Sequence, residues 1–372
     1  MKPLHITLAL WGCVLTVVLV GWLGRSNGAL APPGGMEKRG ENSQPGRASP
    51  QRSVARDSRH DDPPGIGATP LVIEAAGDRL RVTHQLGAVL APRQPTRVCS
   101  LACTDELLAI GLRPVAAACA NGKFPDYLKR WLTGVTRINR LMGVAQPDLE
   151  TLSEARPELI IASAGDPQTY SLLSKIAPVV VLADDGANHR QRVLDLGKLL
   201  GRDQVAIEQV ERYDRCVAES RAILADRVGD ARVAFFRVFG KQLYIHGHTR
   251  GGMLMYDELG LRPPTLIASS PKGYALSPES LLQLDADHIF VAAEANAGAQ
   301  RSWSGVLSHP AWGRVPAVKS GNVYPLAEQQ QWLHPGFLAR ARMLDEIMSA
   351  LAPDVPRLPT PSARAADWQA AR

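Results

Sequence analysis

Two stretches of the chain, PDLETLSEARPELIIAS at residues 147–163 and SPESLLQLDADHIFVAA at residues 277–293, follow one pattern. In each, a proline precedes a glutamate, which is Glu150 in the first stretch and Glu279 in the second. Apolar residues then recur at helical spacing, an acidic residue comes eight positions after the glutamate, and an apolar run follows. This pattern predicts a helix and then a buried strand. Its repetition predicts a chain made of two similar α/β halves.

Strand patterns and helix patterns alternate on both sides of these stretches, which predicts sheets rich in parallel strands and covered by helices. The region at residues 203–228 instead carries apolar residues at three- and four-residue steps. It predicts one helix of about 39 Å, long enough to connect two lobes, although the pattern also fits an ordinary surface helix. We predict an N-terminal α/β lobe at residues 67–202 and a C-terminal α/β lobe at residues 229–352.

The composition limits the classes of function. The 372 residues are 45% hydrophobic and 21% charged, as in an ordinary globular protein. The net charge is +6, but there is no Lys/Arg run, zinc-ligand spacing or RNA-binding aromatic pattern, so we expect no nucleic-acid partner. The sequence also contains no P-loop, G-x-S-x-G, H-E-x-x-H or complete dinucleotide glycine motif. We therefore expect no enzyme, no catalytic residue, no cofactor and no resident metal site.

The N-terminus carries the signal for location. Residues 1–24 contain a continuous apolar segment, residues 4–24, that would cover about 30 Å as a helix. It is either an uncleaved membrane anchor or a cleaved export signal, and both place the rest of the chain outside the cytoplasm. Residues 25–66 are rich in Pro, Gly, Ser and Arg and predict a disordered tether. Residues 353–372 predict a second flexible tail.

The chain has five cysteines, of which Cys13 lies in the apolar segment and four lie in the body. Export permits disulfides. Cys103 and Cys119 both follow predicted strands and could meet at one edge of a sheet, so they are the candidate pair. Free, partly buried thiols are the alternative, and no cysteine spacing is a strong metal signature.

Several motifs, taken in order, carry a resemblance to a known family. They are RVCSLACTDELLAIGLRPVAAA (97–118), PDLETLSEARPELIIAS (147–163), LLSKIAPVVVL (172–182), LYIHGHTRGGMLMYDELGL (243–261) and WGRVPAVKSGNVYPLAEQQQWLHPGFLARARMLDEI (312–347). In order and spacing they resemble the periplasmic-binding-protein family for iron–siderophore complexes and cobalamin, over about residues 70–352 of this chain.

The resemblance implies two α/β lobes with parallel-rich sheets, joined by one long helix, with a ligand cleft between the lobes. It implies a monomeric substrate-binding protein of an ABC importer, in the periplasm or at the outer face of the cytoplasmic membrane. The transported ligand would be a ferric siderophore or a related iron chelate. Glu150 and Glu279 match the acids that dock this family onto arginines of the two permease subunits. Both are also helix-start acids that the helix dipole favours by itself.

Ligand contacts in such a fold are expected in the loops after the strands. Ferric complexes of catecholates and carboxylates are often anionic, so cations in those loops are candidates: Lys123, Arg237 and Arg250. For each, a solvated loop charge or a structural ion pair is the alternative. His246 and His248 are separated by one residue, so both could face the same side of an extended segment and hydrogen-bond the ligand. Direct binding of iron is the other possibility, although no carboxylate or third histidine lies nearby at ligand spacing. The aromatic candidates, which could equally be core residues, are Phe124, Tyr127, Tyr170, Tyr244, Tyr274, Trp303 and Trp332.

Two other functions fit the same sequence. One is a haem- or cobalamin-binding protein of the same fold, which absorbance on mixing would reveal. The other is a membrane-tethered ligand sensor, in which charge reversal at Glu150 and Glu279 would leave ligand affinity and output intact.

Overall fold

The computed structural model describes residues 71–364, except residues 121, 141–146, 164–165, 183–187, 328 and 335. The predicted anchor (residues 1–24) and tether (residues 25–66) lie outside the described residues. Within the part described, no helix is both long and apolar enough to cross a membrane.

The strands of the described part are, in chain order, β1 (Val72–Ala76), β2 (Arg79–His84), β3 (Gly87–Pro92), β4 (Val98–Ser100), β5 (Ala116–Ala120), β6 (Thr136–Arg140), β7 (Leu159–Ser163), β8 (Val179–Leu182), β9 (Val233–Phe239), β10 (Gln242–His246), β11 (Gly273–Leu276), β12 (His288–Ala293) and β13 (Val323–Pro325).

The α-helices of the same part are α1 (Thr104–Ala109), α2 (Asp126–Lys129), α3 (Leu149–Glu154), α4 (Pro167–Leu173), α5 (His189–Leu199), α6 (Asp203–Arg227), α7 (Thr265–Ala268), α8 (Ala297–Ser308), α9 (Pro316–Lys319), α10 (Gln330–Leu333) and α11 (Phe337–Leu351). A π-helical segment, Met253–Glu258, and two 3-10 helices, Pro278–Gln283 and Trp312–Arg314, complete the set.

The N-terminal lobe is built on a five-stranded sheet in the order β6-β5-β4-β7-β8, with every neighbouring pair parallel. The sequences of β7 (LIIAS) and β8 (VVVL) are apolar and almost wholly buried, because helices cover both faces of such a sheet. An antiparallel sheet of β1, β2 and β3 precedes it.

The C-terminal lobe has its own sheet, in the order β11-β10-β9-β12-β13. Here β9, β12 and β13 are parallel, whereas β10 runs antiparallel to both of its neighbours. The expected pair of parallel-rich sheets is therefore present, and no strand of the described part belongs to both.

The structure explains the repeated sequence pattern. Glu158 accepts a 3.2 Å hydrogen bond from the amide of Arg97, the residue before β4. Asp287 accepts a 2.8 Å bond from the amide of Arg232, the residue before β9. In each lobe, the second acid of the repeat thus fixes the start of the neighbouring strand. The helix of the second copy is a 3-10 helix rather than an α-helix.

Helix α6 confirms the predicted long helix, and it begins at the predicted residue. Its buried side chains, among them Tyr213 and Leu224, belong to one continuous hydrophobic cluster. That cluster also contains Leu108 of the N-terminal lobe, Phe235 of the C-terminal lobe and Phe337 of α11. The two lobes therefore share a core along α6 and α11, and a second cluster fills the opposite face of the C-terminal sheet.

The predicted flexible tail, residues 353–372, differs in its described part. Asp354 forms a 2.6 Å ion pair with Arg227 at the end of α6. The backbone amide of Arg364 donates to the carbonyl of Leu108 at 3.2 Å. The segment packs because Ala363, Val355 and Leu358 contact the large hydrophobic cluster. These few apolar residues show no helix or strand period, so the sequence predicts a flexible chain.

The predicted disulfide between Cys103 and Cys119 is not formed, because Cys99, Cys103, Cys119 and Cys216 are all thiols. The Sγ atom of Cys119 points toward β6 and donates to Oδ1 of Asn139 at 3.3 Å. Cys103 follows β4, on the other side of β5 in the sheet. The two side chains therefore do not share an edge.

Candidate functional site

Strand alternation brings several predicted residues to one face of the C-terminal sheet. On β9, Phe235 and Arg237 face the same side, and on β10 so do Tyr244 and His246. The register pairs Tyr244 with Arg237 and His246 with Phe235. This face is opposite to the one that packs on the second hydrophobic cluster. A cation, a phenol and an imidazole thus form one cluster, which we call the β9–β10 cluster.

Arg237 is held in place but remains within reach of solvent. Its Nη2 donates to Oε1 of Glu294 at 2.7 Å, and its guanidinium lies 4.4 Å from the ring centroid of Phe239. Its side chain is 24% exposed. The buried Nε atom has no hydrogen-bond partner among the described residues. The ion pair that was the structural alternative exists, and it leaves this donor unused.

His246 is buried within the cluster, at 4% exposure. Its ring stacks on Phe235 with centroids 4.9 Å apart. Its Nδ1 lies 3.4 Å from Oγ1 of Thr249, and that hydroxyl donates to the carbonyl of Lys272. Because the hydroxyl hydrogen is used, Nδ1 carries the imidazole proton and Nε2 is a bare lone pair. Nε2 is buried and has no partner among the described residues.

The surroundings of His246 are cationic. The pKa of its imidazole is lowered to about 3, chiefly by burial and then by the charges of Arg250 and Arg237. The imidazole is therefore neutral at physiological pH. Burial disfavours charge of either sign, whereas the two arginines favour a negative charge on a group that binds beside them.

Arg250 reaches the cluster from the loop after β10. Its φ of 55° is left-handed, which costs free energy for a residue with a Cβ. Its guanidinium donates to the carbonyl of Leu333. The next residue must be glycine, because a Cβ on Gly251 would lie 2.6 Å from the ring of Trp332. The strained backbone aims the cation at the sheet face, since its charge acts on both His246 and Tyr244.

Trp332 is a core residue, and its prediction as a ligand contact is wrong for the structure described. It is 0% exposed and packs between Phe235 and Phe290, with ring centroids 5.0 and 5.3 Å away. Its indole Nε1 donates to Glu346 at 2.6 Å. The indole packs against Phe235 of the β9–β10 cluster and does not face a ligand.

Tyr274 and Trp303 lie away from the cluster. Both pack against the second hydrophobic cluster, on the opposite face of the C-terminal sheet from Arg237. Trp303 makes an edge-to-face contact with Trp312. His248 is an exposed residue whose Nδ1 bonds to Asp257. The structure therefore does not bring these three predicted residues to the cluster.

The N-terminal candidates divide into buried and exposed side chains. Phe124 and Tyr127 are buried, and the Tyr127 hydroxyl donates to Asp105. Tyr170 packs against the ring of His84 at 5.5 Å. Lys123 is exposed in the turn after β5. Of these residues, only Lys123 offers a charge to a ligand.

The sequence reasoning missed Glu294, which the structure places directly beside Arg237. The signal was present, since an acidic residue comes immediately after β12, where strand-end side chains gather. Phe239, the last residue of β9, is another strand-end residue that was missed, and its ring lies under the Arg237 guanidinium.

Glu150 and Glu279 occupy equivalent places. Each is an exposed second residue of its helix, α3 in one lobe and the 3-10 helix Pro278–Gln283 in the other. A hydrogen bond from Ser277 is the main cause that lowers the pKa of Glu279. Both acids are therefore available on the surface, as docking requires.

The structure also contains an open groove of about 1080 Å³. It lies at the amino ends of β4, β5 and β6, and its lining includes Arg97, Arg113 and Arg202. Ligand loops in this kind of sheet follow the carboxyl ends, so the groove lies away from the candidate site. Within the described residues, no group of three or more His, Cys, Asp or Glu side chains could hold a metal ion.

Comparison with known proteins defines the class. Residues 101–330 match the family model described as periplasmic binding protein. The chain therefore belongs to the periplasmic-binding-protein family, and the resemblance seen in its motifs is confirmed.

Particular relatives are similarly informative. The iron(3+)-hydroxamate-binding protein FhuD of Bacillus subtilis is 28% identical over 249 residues, covering 64% of this chain and 76% of FhuD. The petrobactin-binding protein YclQ of the same species is 25% identical, covering 74% of this chain and 89% of YclQ. The crystal structure of Staphylococcus aureus SirA complexed with staphyloferrin B has a TM-score of 0.61 and 26% identity, covering 73% of this chain and 98% of SirA. The two-lobe fold is thus confirmed.

Proposed function

We propose that this protein is the extracytoplasmic substrate-binding component of an ABC importer. It captures a ferric siderophore or a related iron chelate and delivers it to the permease dimer in the inner membrane. It performs no covalent chemistry, and the iron is cargo rather than a resident cofactor. The two lobes, residues 67–202 and 229–352 joined by residues 203–228, enclose the ligand as a monomer.

The observation that carries this proposal is the cationic β9–β10 cluster. Arg237 and Arg250 surround a neutral, buried His246 on a sheet face beside the shared core. Each charge-assisted hydrogen bond from such a cation contributes about 1.5–3 kcal/mol. Three of them supply much of the roughly 8 kcal/mol of a micromolar complex. An anionic chelate is the ligand that this arrangement favours.

Glu150 and Glu279 support the importer as the partner. One exposed acid on each lobe suits a partner made of two similar subunits, each offering a cation. Exposed pairs contribute about 1 kcal/mol at most, so the two acids fix register more than affinity. The N-terminal segment, residues 4–24, would hold the protein at the outer face of the membrane or direct its export.

The test is a titration of the full chain, followed by tryptophan fluorescence and absorbance, against ferric enterobactin, ferric citrate, a ferric hydroxamate, haem and cobalamin. We expect the anionic ferric complexes to bind at micromolar concentration or below. Arg237→Gln should weaken that binding about tenfold or more. The matched control is Arg215→Gln, which removes an exposed arginine of α6 and should change nothing.

Glu294→Gln separates the two roles of Arg237. Removing the carboxylate frees the guanidinium, so binding of ferric citrate should tighten several-fold. If binding is unchanged, Arg237 serves only the structural ion pair. Binding of haem or cobalamin, with none of the ferric chelates, would move the protein to the haem- or cobalamin-binding class.

A further inference from the structure

Asp105 is a buried acid where the two lobes meet. It lies in the first turn of α1, directly after β4, and is 8% exposed. Its Oδ1 accepts a 2.8 Å hydrogen bond from the backbone amide of Ala339 in α11. Its Oδ2 accepts a 2.9 Å hydrogen bond from the hydroxyl of Tyr127 in α2. One side chain therefore connects three helices.

Toward α11, Asp105 acts as an N-cap supplied from a distant part of the chain. An N-cap oxygen accepts a hydrogen bond from the second or third amide of a helix, and Ala339 is the third residue of α11. The residue at the cap position itself, Gly336, has no side chain to offer. A Cβ at Gly336 would lie 2.6 Å from Cγ of Asp105. The glycine thus leaves room for the acid that replaces its cap.

Each of the two hydrogen bonds of Asp105 leads to a helix that lies close in sequence to a candidate ligand cation or to its acceptor. Tyr127 follows Lys123 by four residues, in the loop and helix after β5. On the other side, α11 starts shortly after Leu333, whose carbonyl holds the guanidinium of Arg250. A shift of α11 would therefore move an acceptor that orients a cation of the β9–β10 cluster.

We propose that Asp105 is a positioning residue, which holds the loop after β5 and the segment before α11 at a fixed separation. Lys123 in the first and Arg250, which the Leu333 carbonyl of the second orients, can then contact one ligand. The proposal rests on the proposed function and deepens it. The role belongs to the two side-chain acceptors and their geometry. An amide can keep it, because an Asn oxygen accepts from Ala339 while its NH2 donates to the Tyr127 oxygen.

The experiment compares variants of the full chain. Asp105→Ala removes both acceptors, and Asp105→Asn restores the one that caps α11. The control is Asp345→Ala, which removes a partly buried carboxylate from α11 itself. This carboxylate accepts a hydrogen bond from Thr360 and does not cap the helix. The readouts are hydrogen exchange of the Ala339 amide and equilibrium binding of ferric enterobactin and ferric citrate.

Asp105→Ala should speed exchange at Ala339 and weaken binding, each by about tenfold, because a lost cap costs about that factor. Asp105→Asn and Asp345→Ala should both stay close to wild type. Exchange at Ala339 that is unchanged in Asp105→Ala, or an Asn variant as weak as the Ala variant, would overturn the proposal.

Tyr127→Phe provides a second test, since it keeps the ring in the core and removes only one bond. It should weaken binding by about threefold, within the range of one net hydrogen bond, and leave exchange at Ala339 as in wild type. Unchanged binding in this variant counts against the proposal. If the wild type binds neither probe, the ligand assignment fails, and exchange at Ala339 still decides the positioning role.

Discussion

Replacing His246 with phenylalanine should make the protein more resistant to acid. The pKa of the imidazole falls from 6.5 to about 3 on folding, chiefly because the ring is buried. Below pH 6.5 the unfolded chain binds a proton that the folded protein does not. The free energy of unfolding therefore falls as the pH falls, by about 1.4 kcal/mol per pH unit, until the folded pKa is reached.

The magnitude follows from this window. Between pH 6.5 and pH 4, His246 should remove about 3 kcal/mol of stability from the wild type. His246→Phe keeps an aromatic ring to stack on Phe235 and removes the buried, unpaired Nε2. At pH 7 the variant should be as stable as the wild type or slightly more so, because an unsatisfied buried acceptor is lost.

The assay is urea unfolding from pH 4 to pH 7.5, followed by circular dichroism, on the wild type and the variant. Tyr244→Phe is the control, since it removes a polar atom from the same sheet face without removing a group that titrates in this range. The free energy of unfolding of His246→Phe should exceed that of the wild type by an amount that grows by about 3 kcal/mol toward pH 4. The corresponding difference for Tyr244→Phe should stay constant. A difference that does not vary with pH would refute the buried, neutral imidazole.

Three further predictions concern other parts of the molecule. Burial, with repulsion from a neighbouring carboxylate, raises the pKa of Asp105 to about 7, so folding favours its protonated form and the stability it contributes is lost as the pH rises toward 7. In urea unfolding, the free energy of unfolding of Asp105→Asn relative to that of the wild type should therefore rise by up to about 3 kcal/mol between pH 5 and pH 8. Glu258→Ala should cost about 3–5 kcal/mol of stability in the same assay, because the guanidinium of Arg340, whose side chain is 1% exposed, loses its carboxylate. Charge reversal at Glu150 and Glu279 together should abolish iron-chelate uptake by cells and leave chelate affinity in titrations unchanged; uptake that persists would contradict docking through these acids.

The elements that could be predicted from sequence are those whose pattern depends on burial alone. β7 and β12 are apolar runs that follow a helix beginning with a proline and a glutamate. In α6, apolar residues recur at three- and four-residue steps over the whole helix. These patterns can be recognised without knowing which residues are neighbours in space. β6 was missed because its sequence, TRINR, carries arginines that suit an exposed edge strand but do not look like a strand in isolation. β11 is short and pairs only with β10, which reverses direction at that edge.

The candidate site was predicted less completely than the fold, for a different reason. Arg237 and His246 could be proposed because charged and polar residues within apolar strands need a specific environment. Whether an aromatic residue faces a ligand or the core depends on which helix covers it. Trp332 is buried by the packing of α10 and α11, which no local pattern encodes. Glu294 became meaningful only once the register placed β12 beside β9.

The packed segment at residues 353–364 has a practical use. It leaves the end of α11 and reaches the carbonyl of Leu108, so residue 364 lies against the N-terminal lobe. A fluorophore attached there, with a second one on the exposed side of α8, would form an energy-transfer pair whose dyes sit on different lobes. Such a labelled protein could serve as an optical reporter of ligand capture, without any change to the residues of the cleft.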